Sequence, residues 1–191
     1  GVDGFAELNG MFAFALYDAQ AGALICARDR FGEKPFLYRE GDGYFAFASE
    51  YKALFRLQGV MPDIDHGRLL SFLHQPRQGL DDDRETVFAG IRQLLPGEVL
   101  RLDTRTLRST VSRYWTLTPD SDAANLTQQA ASERFGDLLS DAVSIRMRSD
   151  VAVGSCLSGG LDSGSIVCLN RCHLGDGVDY HVFTGRLPET P

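Results

Sequence analysis

The first part of the chain alternates apolar runs with turn residues, a pattern typical of paired β-strands. Residues 11–17 are almost continuously apolar, which predicts a strand covered on both faces. Turns at 18–22 and 41–43 are rich in Asp and Gly, and each predicts a hairpin. The expected strands of this part are 11–17, 23–28, 36–39, 44–48, 98–102 and about 107–115.

Helical spacing appears at three places. Ser49 is expected to cap a short helix over 50–57, and Asp65 a second one whose leucines share one face. After residue 126, apolar residues recur at i, i+3, i+4, i+7 and i+8, which predicts an amphipathic helix of about five turns. Its apolar face comprises Phe135, Leu138, Leu139, Ala142 and Val143.

The last part of the chain has a different order of elements. The apolar run 151–157 predicts a short buried strand, 165–170 the start of a helix, and 180–184 another strand. Helix, strand, helix and strand in this order predict the start of a parallel sheet. The polar stretch 118–125 is interpreted as a linker, so the fold class is α+β followed by α/β.

Residues 158–163, with the sequence Ser-Gly-Gly-Leu-Asp-Ser, join the predicted strand to the predicted helix. The free N–H groups of a helix's first turn and the positive end of its dipole favour an anion at such a point. Two adjacent glycines let the backbone approach a bulky anion. The carboxylate of Asp162 fits beside phosphates if Mg²⁺ lies between them. A glycine-rich turn with no ligand is the alternative.

This loop is not a Walker A motif, because no Gly-Lys-Ser/Thr follows the glycines. It resembles the pyrophosphate loop of ATP-pyrophosphatases, which cleave ATP between its α and β phosphates. Three earlier segments and two short motifs then resemble one family together: residues 8–18, 27–35 and 47–54, Leu95-Pro96-Gly97, and Tyr114-Trp115. In this order they are similar to the glutamine-dependent asparagine synthetases.

The resemblance implies a fold and a domain organisation. Residues 1–117 would form the C-terminal half of a glutaminase domain with the αββα fold of N-terminal-nucleophile hydrolases. Residues 118–125 would be the linker, and 126–191 the N-terminal part of a parallel-sheet ATP-pyrophosphatase domain. The chain begins with Gly and ends beyond a predicted strand, so we expect it to be an internal fragment of a longer protein.

The resemblance also implies a reaction. An N-terminal cysteine would release ammonia from glutamine, and ATP with Mg²⁺ would activate aspartate as β-aspartyl-AMP, which ammonia converts to asparagine. Residue 1 is Gly, so no catalytic nucleophile is expected in this chain and the activity is assigned to the full-length protein. The implied ATP and pyrophosphate contacts are Leu157 through its backbone, Ser158, Gly159, Gly160, Asp162, Ser163 and, on the next strand, Gly185, with Asp162 also as the Mg²⁺ ligand.

Composition adds limits on partners and location. The net charge of −7 argues against nucleic acid, and no apolar run is long enough for a membrane span. The four cysteines have neither the spacing of a zinc ribbon nor that of a thioredoxin motif, and the set favours the reducing cytoplasm. We therefore expect small-molecule partners only, with a homodimer left open.

Other assignments stay open at this level. A related amidotransferase or cyclase would adenylate a different carboxylate, and a degenerate module would have kept the fold and lost the chemistry. Nucleic-acid-directed enzymes share the loop but lack the glutaminase segments. Arg28, Asp29 and Lys34 form a charged cluster at a strand end. A structural role, as a buried ion-pair network that joins the two domains, is favoured over a solvated loop. Cys168, Cys172 and His173 allow a metal site, although a buried helix face is the simpler interpretation.

Overall fold

A computed structural model describes residues 2–57, 63–75, 83–175 and 177–185. The chain divides into two compact units, Gly1–Thr118 and Pro119–Pro191. Each unit is considered by itself below.

The first unit consists mainly of short antiparallel strands. A 3₁₀ helix over Val2–Glu7 comes first. The strands are β1 (Ala13–Asp18), β2 (Ala23–Arg28), β3 (Leu37–Gly41), β4 (Tyr44–Ala48), β5 (Arg92–Gln93), β6 (Glu98–Asp103) and β7 (Ser109–Arg113). Helices α1 (Tyr51–Leu54) and α2 (His66–His74) lie between β4 and β5 in the sequence.

These strands form two sheets in which all pairs are antiparallel. The first has the order β1-β2-β6-β7 and the second the order β4-β3-β5. The β1–β2 turn is closed by Asp18, whose carboxylate accepts the N–H groups of Gln20 and Ala21. In the β3–β4 turn, Gly43 has a φ of +76°, a conformation that favours glycine.

Three clusters of apolar side chains show how the layers of this unit pack. The first joins residues from both sheets: Cys26, Phe36, Tyr38, Leu94, Leu100 and Leu102. On the opposite face of the first sheet, Ile25, Ala27 and Val99 meet aromatic rings that include Phe5 and Tyr114. On the outer face of the second sheet, Leu37 and Ile91 pack against Leu54 of α1. The unit is thus two packed sheets with α1 on one outer face.

Two charged residues are buried at the end of β2, where the following loop begins. Arg28 and Asp29 are 3% and 0% exposed. The guanidinium of Arg28 donates to the carbonyls of Gly32, Lys34 and Leu94 at 2.7–2.8 Å. The Asp29 carboxylate accepts four backbone N–H groups, from Phe12, Phe31, Glu33 and Lys34. Arg28 and Asp29 therefore have a structural role, but through backbone groups of their own unit; Lys34 is exposed, and the ion-pair network between domains stays a prediction.

The second unit contains two helices and one short pair of strands. A 3₁₀ helix covers Ser121–Asn125, and α3 spans Gln128–Arg146, with the Thr127 hydroxyl accepting the N–H of Ala130. Strand β8 (Ser155–Cys156) pairs in parallel with β9 (Val182–Phe183), and α4 (Leu161–Leu174) connects them. The two strands run parallel, as predicted. Each has only two residues, so they do not form the extended parallel sheet that the sequence predicts.

Several sequence predictions for strands were wrong in detail. Strand β1 is not covered on both faces, since Leu16 and Tyr17 are 53% and 60% exposed. It lies at the edge of its sheet, and β2 is the strand whose two faces are buried. The predicted buried strand 151–157 reduces to Ser155–Cys156, and Val151 is 75% exposed. β8 pairs only with the two residues of β9 in the described part of the chain, so the rest of the run has no ladder to join.

The helix predictions had mixed outcomes. Asp65 caps α2 as expected, through the N–H of Arg68 at 3.0 Å. Ser49 does not cap α1, because the N-cap position is Glu50 and no side chain bonds there. Helix α3 is confirmed, but Phe135 and Leu138 on its apolar face are 66% and 61% exposed in this unit.

The coarse fold class is confirmed as a mixed α/β architecture with antiparallel sheets. The four-layer αββα form and the ATP-pyrophosphatase sheet stay predictions. Among the described residues, no helix is long and apolar enough to cross a membrane.

Candidate nucleotide site

The loop between β8 and α4 has the strand–turn–helix form that the sequence predicts. Gly159 has a φ of +83°, and Gly160 occupies the N-cap of α4 with extended backbone and no side-chain cap. The first intrahelical bond runs from the Gly164 N–H to the Gly160 carbonyl at 3.1 Å. The N–H groups of Leu161, Asp162 and Ser163 therefore have no partner among the described residues.

Two serine hydroxyls hold the loop in shape. The Oγ atoms of Ser158 and Ser163 lie 3.0 Å apart, and the Ser158 N–H donates to Ser163 Oγ at 3.2 Å. Ser163 Oγ also donates to the Gly160 carbonyl, and the Gly160 N–H reaches Ser158 Oγ at 3.4 Å. These bonds fix the turn before a ligand arrives, so less ordering is required on binding.

The surface around the loop is open. A Cβ atom added at Gly159 would meet nothing within 4 Å, and one at Gly160 would meet only Ser158 Oγ at 3.5 Å. Both glycines are exposed and line a shallow depression with Leu161, Gly164, Ser165 and Cys168. This space lets a bulky group approach the backbone N–H groups closely.

Asp162 lies in the first turn of α4 and is exposed. Its carboxylate has no hydrogen bond or ion pair within the described residues, and no other acidic, His or Cys side chains there complete a three-residue metal cluster with it. A single carboxylate with phosphate oxygens as the remaining ligands is the donor set that Mg²⁺ usually takes in proteins. The residues present therefore fit a shared metal–phosphate site better than a metal site made by protein alone.

The adjacent strand brings Gly185 towards the start of the loop. The Leu157 N–H donates to the Phe183 carbonyl at 2.7 Å, and the Thr184 hydroxyl donates to the Leu157 carbonyl. Gly185 follows Thr184 directly at the carboxyl end of β9. The Leu157 N–H is already used by β9, so a backbone contact from Leu157 to a ligand would have to come from its carbonyl.

The four cysteines differ in burial. Cys26 is fully buried in β2, and burial raises the pKa of its thiol to about 12, which does not suit a nucleophile. Cys156 is exposed in β8, contrary to the buried position expected for it. Cys168 and Cys172 are both exposed, so the buried helix face expected for them is wrong. His173 Nε2 lies 3.2 Å from Ser140 Oγ of α3, and the described residues contain no metal cluster with the two cysteines.

One polar cluster beneath the loop was missed by the sequence reasoning. Asn170 of α4 is 4% exposed and donates to the hydroxyls of Ser155 and Tyr180. Asn170 stands in a run of apolar and small residues, which is a weak sign of a buried amide. Its two partners lie on other elements 10 and 15 residues away, so spacing alone did not connect them.

Comparison with known proteins follows the division into two units. The model of the glutamine amidotransferase domain family matches residues 1–115. The chain belongs to this family. The asparagine synthase family model matches residues 134–190, which include the loop and both of its flanking strands. The resemblance to glutamine-dependent asparagine synthetases inferred from the sequence is confirmed.

Individual relatives agree with these family matches. A Mycobacterium tuberculosis protein provisionally named a glutamine-hydrolysing asparagine synthetase is 37% identical over 184 residues, 91% of this chain and 27% of its own length. "Asparagine synthetase [glutamine-hydrolyzing] 3" of Bacillus subtilis is 34% identical over 171 residues, 88% of this chain. The chain spans 26% of the length of that second relative.

Among solved structures, glutamine phosphoribosylpyrophosphate amidotransferase of B. subtilis is similar at 14% identity, over 95% of this chain and 34% of that one. The TM-score is 0.39, which is too low to define a shared fold.

Proposed function

We propose that the full-length protein is an ATP-dependent, glutamine-hydrolysing amide ligase that converts aspartate to asparagine through β-aspartyl-AMP in the cytoplasm. Both family matches and the named relatives support this assignment. The observation that carries it is the open first turn of α4, where three backbone N–H groups face an exposed glycine loop.

In this proposal the loop binds the phosphates of ATP. The N–H groups of Leu161, Asp162 and Ser163 would donate to phosphate oxygens, and the hydroxyls of Ser158 and Ser163 would keep the turn in place. Gly159 and Gly160 would allow the close approach, and Gly185 would border the nucleotide from the next strand. Donors that are already oriented stabilise the charge that develops on the phosphate oxygens as the α–β bond breaks.

Mg²⁺ would be held by Asp162 together with phosphate oxygens, where it neutralises negative charge. The glutaminase nucleophile is assigned to a residue other than those of this chain, because the only cysteine in its β-rich unit is buried Cys26. Small molecules, namely ATP, aspartate and glutamine or ammonia, are the proposed partners.

The test is exchange of labelled pyrophosphate into ATP by the full-length protein with Mg²⁺, with and without aspartate. We expect exchange that requires aspartate and falls at least about 100-fold in Asp162→Ala, because the metal–phosphate contact is lost. Asp137→Ala, an exposed acidic position on α3, is the control and should exchange as wild type does.

Two results would change the assignment. Exchange that does not depend on aspartate but responds to another carboxylate would indicate a related amidotransferase or cyclase. No exchange with any carboxylate would refute the ligase and indicate a module that has lost its chemistry.

A further inference from the structure

A cluster of three polar side chains ties together the elements beneath the loop. Asn170 Nδ2 donates to the Tyr180 hydroxyl at 2.8 Å and to Ser155 Oγ at 3.3 Å. The Tyr180 hydroxyl also donates to Ser155 Oγ. We call Ser155, Asn170 and Tyr180 the Asn170 cluster. It joins β8, the third turn of α4 and the residues that lead into β9.

Burying the polar amide of Asn170 lowers the stability of the fold unless hydrogen bonds compensate for the lost contacts with water. Among the residues of α4, all of which are described, only Asn170 is buried. It lines a mainly apolar cavity of about 350 Å³, with Leu139, Val143 and Ile166 among its neighbours. Asn170 Oδ1 has no partner among the described residues. A leucine would fill the same space without that unpaired oxygen, so the amide's contribution is the direction of its two bonds.

The direction of α4 determines where the phosphate loop's donors point. Asn170 lies nine residues after Leu161, which is about 13 Å along the helix axis. A tilt of about 10° around Asn170 would move the first turn by about 2 Å over that length. N–H···O distances vary over only about 0.5 Å, so a movement of this size would break the bonds to a bound phosphate.

We propose that the Asn170 cluster fixes the angle between β8 and α4 and thereby aims the first-turn N–H groups at the phosphates of ATP. Asn170 and Tyr180 are then positioning residues that touch no substrate themselves. The identity of the ligand rests on the proposed function, whereas the fixed orientation of α4 rests on the three hydrogen bonds.

The test compares two variants of the full-length protein, each of which lacks one tyrosine hydroxyl group. Tyr180→Phe keeps the ring and deletes the hydroxyl that accepts from Asn170. Tyr17→Phe is the matched control, because Tyr17 is 60% exposed in β1 of the first unit. We expect Tyr180→Phe to weaken MgATP binding, measured by calorimetry, about fivefold and to raise the KM for ATP by the same factor, with kcat changed less.

A second variant separates positioning from folding. Asn170→Leu should weaken MgATP binding about twentyfold. The double variant with Tyr180→Phe should lose less affinity than the product of the two single effects, because both changes remove the Asn170–Tyr180 bond. If Asn170→Leu fails to fold, Tyr180→Phe still decides the test.

Three results would count against the proposal. Unchanged MgATP affinity in folded variants, or a lower kcat at constant KM, would leave the cluster a role in stability only. A wild-type protein that binds no MgATP would overturn the proposed function and this inference together. In the first two cases the wild-type protein still binds MgATP, so this inference alone would be overturned.

Discussion

Two loops of this chain follow a strand end, and they treat backbone N–H groups in opposite ways. In the loop after β2, three N–H groups of the loop and the N–H group of Phe12 donate to the buried carboxylate of Asp29. In the loop after β8, the first-turn N–H groups of α4 stay open, and the carboxylate of Asp162 is exposed. The N–H groups of the first loop donate to an anion of the same loop, whereas those of the second meet no anion among the described residues, as the proposed phosphate site requires.

The difference extends to the glycines of the two loops. Gly32 has a φ of +68°, and a Cβ there would lie 2.8 Å from Pro96 Cγ and 3.0 Å from Arg28 Cζ. Gly159 has a similar φ of +83° but nothing within 4 Å of its Cβ position. The same backbone conformation is therefore packed in one loop and exposed in the other. A buried nest of N–H groups stabilises the fold, and an exposed one is available for binding.

The largest effect is expected from removing the internal anion. Asp29→Ala leaves the four part-buried N–H groups that donate to this carboxylate without their acceptor, so the free energy of unfolding should fall by about 3–5 kcal/mol. Urea unfolding of the full-length protein, followed by circular dichroism, would measure this change.

Asp162→Ala is the matched variant for that experiment. Its carboxylate has no described partner, so the free energy of unfolding should stay within about 0.5 kcal/mol of wild type. Equal destabilisation by the two variants would contradict the contrast between the loops.

The second comparison uses alanine at the two glycines. Gly32→Ala combines a left-handed backbone with overlap against Pro96 and should lower the free energy of unfolding by about 2–4 kcal/mol. Gly159→Ala has only the backbone strain and should cost about 1–2 kcal/mol. Thermal unfolding of both variants would show the order, and a larger loss at Gly159 would be evidence against an open loop.

The smallest effect is expected at two serines two residues apart on α4. Ser163 bonds to Ser158 and to the Gly160 carbonyl, so Ser163→Ala should weaken MgATP binding about tenfold. Within the described residues, the Ser165 hydroxyl donates to the Leu161 carbonyl one turn back and to no loop residue, so Ser165→Ala should change the affinity less than about twofold. Calorimetric titration of both variants would sharpen the assignment, and equal losses would remove the special role of Ser163.

The sequence predicted the local features of the first unit because they depend on neighbouring residues. The hairpins follow from Asp and Gly in their turns, and the cap of α2 follows from Asp65 three residues before Arg68. The sequence did not show that one face of β1 is exposed, because that exposure depends on the position of β1 at the edge of its sheet. Pairing across more than 70 residues, as between β2 and β6, sets that place and leaves no local signal.

In the second unit, the sequence predicted the loop but not what holds it. The turn of residues 158–163 follows from adjacent glycines before a helix. The strand 151–157 was predicted too long, because an apolar run forms a strand only where a neighbouring strand completes the ladder. The role of Asn170 was not predicted, because its hydrogen-bond partners lie on β8 and on the residues before β9, which are distant in the sequence.

The most direct measurement is a titration of MgATP into the full-length protein and into Asp162→Ala, with pyrophosphate as competitor. We expect the wild-type protein to bind ATP at one site. Binding should require Mg²⁺, and added pyrophosphate should displace the nucleotide. Asp162→Ala should bind at least about tenfold more weakly with unchanged thermal stability, because only the metal–phosphate contact is lost. Equal affinity in the two proteins, or wild-type binding that is indifferent to Mg²⁺ and pyrophosphate, would contradict the assignment of this loop as the phosphate site.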